Sequence, residues 1–180
     1  MVIRSKITKK LLNYFFLNED ERFYINEIAK IIKEDPKNVH TKLIELKEQG
    51  ILDDEFQGNQ RYFFINKNYP LLKEYRNIVL KKIGFEKILK ERLEKIKGID
   101  SIYIFGSYAD NKLSPESDID LLIIGDFDTL ELQKHLLEIQ RLSGREINSI
   151  ELAKKEFDKK MKEKDFFLGN IFSKKYIKII

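Results

Sequence analysis

Two aspartates open an apolar run, Asp118-Ile119-Asp120-Leu121-Leu122-Ile123-Ile124. Such a run reads as a strand, and alternate strand residues share a face, so both carboxylates project to one side. Side by side they repel unless a cation separates them. A hard ion with oxygen ligands suits them best, and Mg²⁺ also keeps water positions open for substrate phosphates. Upstream, the apolar stretch from Ser101 to Phe105 ends in Gly106-Ser107. A glycine there lets backbone approach a phosphate, and residues after it can open a helix whose free N–H groups attract an anion. Strand, Gly-Ser, strand with paired carboxylates is therefore a candidate phosphate-metal site. The rest of the composition narrows the chemistry further. With no Cys, thiolate zinc sites, disulfides and thiol catalysis are excluded, and the two histidines, His40 and His135, stand far apart in sequence. Any metal has to be held by oxygen.

The elements that must position these residues follow from periodicity. Phe85, Ile88, Leu89, Leu93 and Ile96 predict a helix closed by Gly98. Leu130, Leu132, Leu136, Leu137 and Ile139 predict another between the second strand and a third, Arg145 to Ile150. Phe157, Met161, Phe166, Phe167, Leu168, Ile171 and Phe172 read as core or interface packing. His135, among polar neighbours, reads as a surface residue.

Ile102-Tyr103-Ile104-Phe105-Gly106-Ser107-Tyr108-Ala109 and Ser117-Asp118-Ile119-Asp120-Leu121-Leu122-Ile123, joined by a loop with Ser114-Pro115-Glu116, resemble the DNA polymerase β-like nucleotidyltransferase superfamily. The likeness is to its small prokaryotic branch, the minimal nucleotidyltransferases, and spans roughly residues 85 to 165. The resemblance implies transfer of a nucleoside monophosphate from an NTP, ATP being the first expectation, to an acceptor hydroxyl. It also implies nucleotide-binding roles for Gly106 and Ser107, and two Mg²⁺ ions on Asp118 and Asp120. Where many members have a basic residue and a Gly after Gly-Ser, this chain has Asp110-Asn111. The family's third acid sits on a later strand, and by its apolar flanks Asn148 falls at that place. An amide can ligate a metal through oxygen but is a poor base. Glu146, two residues earlier on the same expected face, is the substitute candidate.

The first 66 residues read as a separate unit. Ile7, Leu11 and Phe15, then Ile25, Ile28, Ala29 and Ile32, then Val39, Leu43 and Leu46 predict three short amphipathic helices. Asp35-Pro36 is a cap followed by the residue favoured at the first helical position, and Gly50 supplies a left-handed stop. Runs from Ile51 to Phe56 and from Arg61 to Ile65 flank hairpin chemistry at Gln57-Gly58-Asn59-Gln60. Tyr24 to Lys30 and Val39 to Leu52 resemble the winged-helix family of small prokaryotic regulators. That resemblance offers Lys37, Asn38, His40, Thr41 and Lys42 as candidate DNA contacts, His40 reading more simply as an exposed helix residue. Asp53-Asp54-Glu55 on the first wing strand argues against tight binding.

The expected architecture is α+β: a winged helix-turn-helix domain over 1–66, a basic helical linker over 67–98, and a small α/β nucleotidyltransferase domain over 99–180. Of the net charge of +4, the excess lies in the linker, which carries 10 Lys+Arg against 4 Asp+Glu. That linker is either a solvated helix or a phosphate-backbone contact. The 42% apolar and 36% charged composition is globular. No apolar run suits a bilayer, and the start, Met-Val-Ile-Arg-Ser-Lys, lacks signal-peptide character, so a cytoplasmic protein is expected without a membrane partner. The competing expectation is a DNA-binding transcriptional regulator whose nucleotidyltransferase fold senses a nucleotide without turnover. A toxin-antitoxin component that modifies a protein acceptor is a third, and a homodimer is compatible with each.

Overall fold

The computed structural model describes residues 3–114 and 116–180. Met1 and Val2 of the start, and Pro115 of the loop between the two motifs, lie outside them. The chain divides into two compact units, one reaching to Lys87 and including Leu142–Gly144, the other comprising Ile88–Arg141 and Arg145–Ile180.

In the first unit α1 (Lys6–Leu17), α2 (Ile25–Ile32) and α3 (Pro36–Glu48) lie where the periodicity places them. Ser5 caps α1 through the Thr8 N–H, and Asp35 caps α3 by accepting from the N–H groups of Lys37 and Asn38 at 3.0 and 3.2 Å. Gly50, at φ +75°, ends α3 with its N–H on the Lys47 carbonyl while Ile51 N–H returns to Leu46. β2 (Leu52–Gln57) and β3 (Gln60–Ile65) form the hairpin, with Gly58 at φ +60° in its two-residue turn. Sequence reasoning missed β1 (Phe23–Tyr24), whose two residues pair with Phe63 and Tyr62 of β3. A strand that short has no period to read. The segment 67–98 yields α4 (Leu72–Lys82), which buries Tyr75, Val79 and Leu80, and α5 (Phe85–Leu93), whose Leu89 and Leu93 are fully buried. Burial lifts the Tyr75 phenol to about 12.

The second unit is built on a four-stranded sheet in the order β6 (Ile147–Leu152), β5 (Ile119–Gly125), β4 (Ile99–Phe105), β7 (Ile177–Lys178). β4 is antiparallel to both its neighbours, and β5 and β6 are parallel. The parallel pair requires a crossover, supplied by α7 (Thr129–Ser143). One sheet face, with Leu122, Ile124 and Leu152, packs on Leu168 and Ile171 of α9 (Phe166–Ser173), together with Phe157 of α8 (Lys154–Lys162). This is a mixed α+β fold.

Several expectations need correction. The third strand starts at Ile147 rather than Arg145, because the Arg145 side chain is buried and holds loop carbonyls ahead of the strand. The helix between the second and third strands forms as α7, and within it Leu130 and Leu137 face solvent, at 83% and 52% exposure, while Leu132, Leu136 and Ile139 form the buried stripe. Of the residues read as core or interface packing, Phe166, Phe167 and Met161 are exposed, which removes the core half of that reading for these three. His135 is half-buried, and its Nδ1 is enclosed without a hydrogen-bond partner.

Candidate active site

Asp118 immediately precedes β5, and Asp120 is its second residue. In the sheet register Phe105 of β4 and Asn148 of β6 both lie opposite Asp120. Opposed residues share a face, so Phe105, Asp120 and Asn148 form a row across three strands at one end of the sheet. Asn148 Nδ2 donates to Asp118 Oδ2 at 2.9 Å, and the same amide hydrogen bonds with Asp120. The two carboxylates are thus brought together as the strand alternation requires. Burial pushes the Asp120 carboxyl above its usual value and the charge of Asp118 pushes the same way, against the bond from Asn148.

Gly106 follows β4 directly at φ +68°, and a Cβ built on it would lie 2.4 Å from Asp120 Oδ2. The glycine is needed twice over: for a left-handed backbone, and to let the aspartate rest against the chain. Gly106–Ala109 makes a single helical turn, α6, in which the Ser107 hydroxyl reaches toward the Asp118 carbonyl at 3.5 Å. Asp110 is exposed and Asn111 takes φ +56°.

Arg145 was not singled out by sequence reasoning. Its side chain is 6% exposed, and Nη1 donates to the carbonyls of Ser114 at 2.6 Å and Ser117 at 3.3 Å. The two serines close the same loop, with Ser117 Oγ accepting from the Ser114 N–H at 2.9 Å. Ser117 is joined to Asp118, so this buried guanidinium fixes the approach to the first carboxylate. Only its burial, invisible in one sequence, distinguishes Arg145 from the many surface cations.

Glu146 is exposed just ahead of β6, and its carbonyl accepts the Ile119 N–H at 2.9 Å. Among the described residues no three His, Cys, Asp or Glu side chains gather into a metal-holding group. Asn148 is the β6 residue that lies opposite Asp120 and bonds to Asp118. Chemically the site offers two hard carboxylates, an amide able to present oxygen, and a glycine that leaves backbone accessible.

A nucleotidyltransferase domain model matches residues 85–173. Over 81 residues the chain is 36% identical to a Methanocaldococcus jannaschii protein named "Putative protein adenylyltransferase", spanning 42% of this chain and 81% of that one. The chain belongs to the nucleotidyltransferase domain family. Among solved structures, a toxin-antitoxin crystallised with AMP-PNP is 15% identical with a TM-score of 0.39, covering 53% of this chain and 72% of that one. A "putative nucleotidyltransferase" from Sulfolobus solfataricus is 23% identical with a TM-score of 0.28, covering 41% and 68%. Nucleotidyltransferases generally use divalent metal ions, and the Asp118 and Asp120 carboxylates are oxygen donors of the kind a hard cation takes.

In the first unit, the α3 residues that the winged-helix resemblance offers to DNA differ in availability. Lys37, Asn38, His40 and Thr41 are exposed on α3, but the Thr41 hydroxyl donates to the Lys37 carbonyl at 3.1 Å. Lys42 is half-buried and paired with Glu45 at 2.7 Å. The acids of β2 are largely neutralised from within: Lys47 and Arg61 both pair with Asp54, and Arg22 pairs with Glu55. Burial raises the pKa of Asp54, but the bonds from Lys47 and Arg61 outweigh it and hold the carboxyl below its usual range. Among the described residues no helix is long and apolar enough to cross a membrane.

Proposed function

We propose that this nucleotidyltransferase transfers a nucleoside monophosphate from an NTP to an acceptor hydroxyl in a Mg²⁺-dependent reaction, with release of pyrophosphate. The observation that carries the reading is Asp120 set between Asn148 in the sheet and Gly106 after β4, with Asp118 beside it. Asp118 and Asp120 would hold Mg²⁺, and the fit is chemical: two carboxylates forced onto one face, with Asp120 held above its usual pKa, are relieved by a hard cation. When bound, the ion neutralises triphosphate charge and polarises phosphoryl oxygen. Gly106 admits the phosphates to the backbone, and Ser107 adds a hydroxyl beside them. Asn148 orients the two carboxylates but has no basic lone pair to take the acceptor proton. Turnover should accordingly be slow, since general-base assistance is typically worth about 10²- to 10⁴-fold. The name of the Methanocaldococcus jannaschii relative favours ATP as donor and a protein hydroxyl as acceptor.

The test is incubation with each labelled NTP, Mg²⁺ and cell lysate, reading covalent label on protein or RNA. Label that vanishes in the D118N/D120N variant supports the reading, and an increase with N148D places Asn148 at the third position. Label unchanged by D118N/D120N would refute it.

A second reading, favoured by Asn148 itself, is a regulator that binds a nucleotide without transferring it. It draws on the first unit as a winged helix-turn-helix, with α3 presenting Lys37 and Asn38 to duplex DNA and Asp54 and Glu55 withdrawn into ion pairs. ATP binding without label, together with retarded DNA, would favour it.

A further inference from the structure

We infer that Phe167 forms a stacking wall for the nucleobase of the bound nucleotide. The inference rests on the proposed nucleotide site and adds its base-facing side. Phe105 lies opposite Asp120 in the β4–β5 register and therefore shares its face. Phe167, in the first turn of α9, meets Phe105 edge to face, with ring centroids 6.4 Å apart and an interplanar angle of 84°. Phe105 links the two positions: it is the register partner of Asp120, and its ring meets that of Phe167. Phe105 is partly buried against the α9 core, which anchors the pair, while Phe167 keeps 43% of its surface exposed. An apolar ring fixed by an aromatic neighbour and open on its remaining surface suits a flat, weakly polar partner. A nucleotide whose phosphates lie at Gly106 carries such a partner at its other end. Bases of any kind have a π-face, so this contact supplies affinity without choosing the base. Phe166, its neighbour in sequence and 89% exposed, serves as an internal comparison because it makes no ring contact among the described residues.

The chain contains no Trp, so F167W and F166W each place a single fluorescent indole in the full-length protein. With Mg²⁺ present, ATP should change the emission of F167W, inorganic tripolyphosphate should leave it unchanged, and F166W should respond to neither. Calorimetry with F167A and F167L should show ATP affinity reduced on the order of tenfold, while tripolyphosphate affinity matches wild type. Phe167 is exposed enough for F167A to fold, and F167L preserves apolar bulk where it does not. If wild type binds ATP but F167A and F167L bind it equally well, or if they lose tripolyphosphate to the same extent, the stacking wall is wrong while the phosphate site stands. A loss of transfer with ATP affinity unchanged would move Phe167 to the acceptor and likewise overturn the inference. If wild type binds neither ATP nor tripolyphosphate, the nucleotide reading itself fails.

Discussion

Asn148 Nδ2 donates to Asp118 Oδ2 at 2.9 Å while also hydrogen bonding with Asp120. One amide thus offsets part of the repulsion between two carboxylates that strand alternation forces together. The remaining cost falls on Asp120, whose pKa is raised by burial first and by Asp118 second.

From that shift follows a pH-dependent effect of D120N in the metal-free protein. A folded pKa above the unfolded value of 3.8 means that folding disfavours the ionised form. The penalty is absent well below pH 3.8, grows as pH rises through the folded pKa, and is complete above it. D120N should therefore melt above wild type at pH 7 in EDTA, with the gap closing on acidification. The groups held low, Asp54 and Glu34, lose their contribution in acid in both proteins and cancel from the difference. Thermal melts of the two proteins from pH 3 to 8 check this, and a D120N protein that melts lower at pH 7 contradicts it.

Gly106→Ala should be costly to both stability and binding. The left-handed backbone alone costs about 1–2 kcal/mol for a residue with a Cβ, and that Cβ would sit 2.4 Å from Asp120 Oδ2. Urea unfolding should show at least that loss, and Asp120 should be displaced from the position proposed for it beside Mg²⁺. Gly169→Ala, with nothing within 4 Å of its new methyl group, is the control and should leave nucleotide binding intact.

Arg145→Met should cost about 1–3 kcal/mol, since the carbonyls of Ser114 and Ser117 lose a buried charged donor. If Arg145 positions Asp118, the Mg²⁺ dependence of ATP binding should weaken beyond what the lost stability explains. Calorimetry at a temperature where the variant is fully folded separates the two effects.

Much of this arrangement is legible in the sequence, and the exceptions have physical reasons. Asp118 and Asp120 stand out because a period of two places polar residues together against an apolar run, and Asp35-Pro36 and Gly50 mark α3 because caps are local chemistry. Asn148 could be placed from its apolar flanks, since Ile147 and Ile150 bracket it in β6. The sequence places the start of β6 at Arg145 because a buried guanidinium looks like any surface cation until its acceptors, two carbonyls some thirty residues earlier, are brought to it. β1 and β7, two residues each, exist only through their partners β3 and β4. The exposed Leu130, Leu137 and Phe166 satisfy a helical period as well as buried residues do, and only the packed neighbours decide which stripe turns inward.

For the first unit, Lys37→Ala should weaken duplex binding uniformly across sequences and reduce the salt slope by about 1, as expected for one lost phosphate contact. Lys42→Ala should do less, because its ammonium is already paired with Glu45. Gel retardation over a salt series distinguishes them, and equal losses would mean that the Glu45 pair opens on binding. No retardation at low salt would remove duplex DNA as a partner.

The central claim is that Asp118 and Asp120 form a metal-dependent nucleotide site, and calorimetric titration of ATP in Mg²⁺ and in EDTA tests it most directly. Triphosphate and paired carboxylates repel each other without a cation between them, so binding should be measurable in Mg²⁺, lost in EDTA, and absent from the D118N/D120N protein in both. Equal affinity in Mg²⁺ and EDTA, or full Mg²⁺-dependent binding by D118N/D120N, would contradict it.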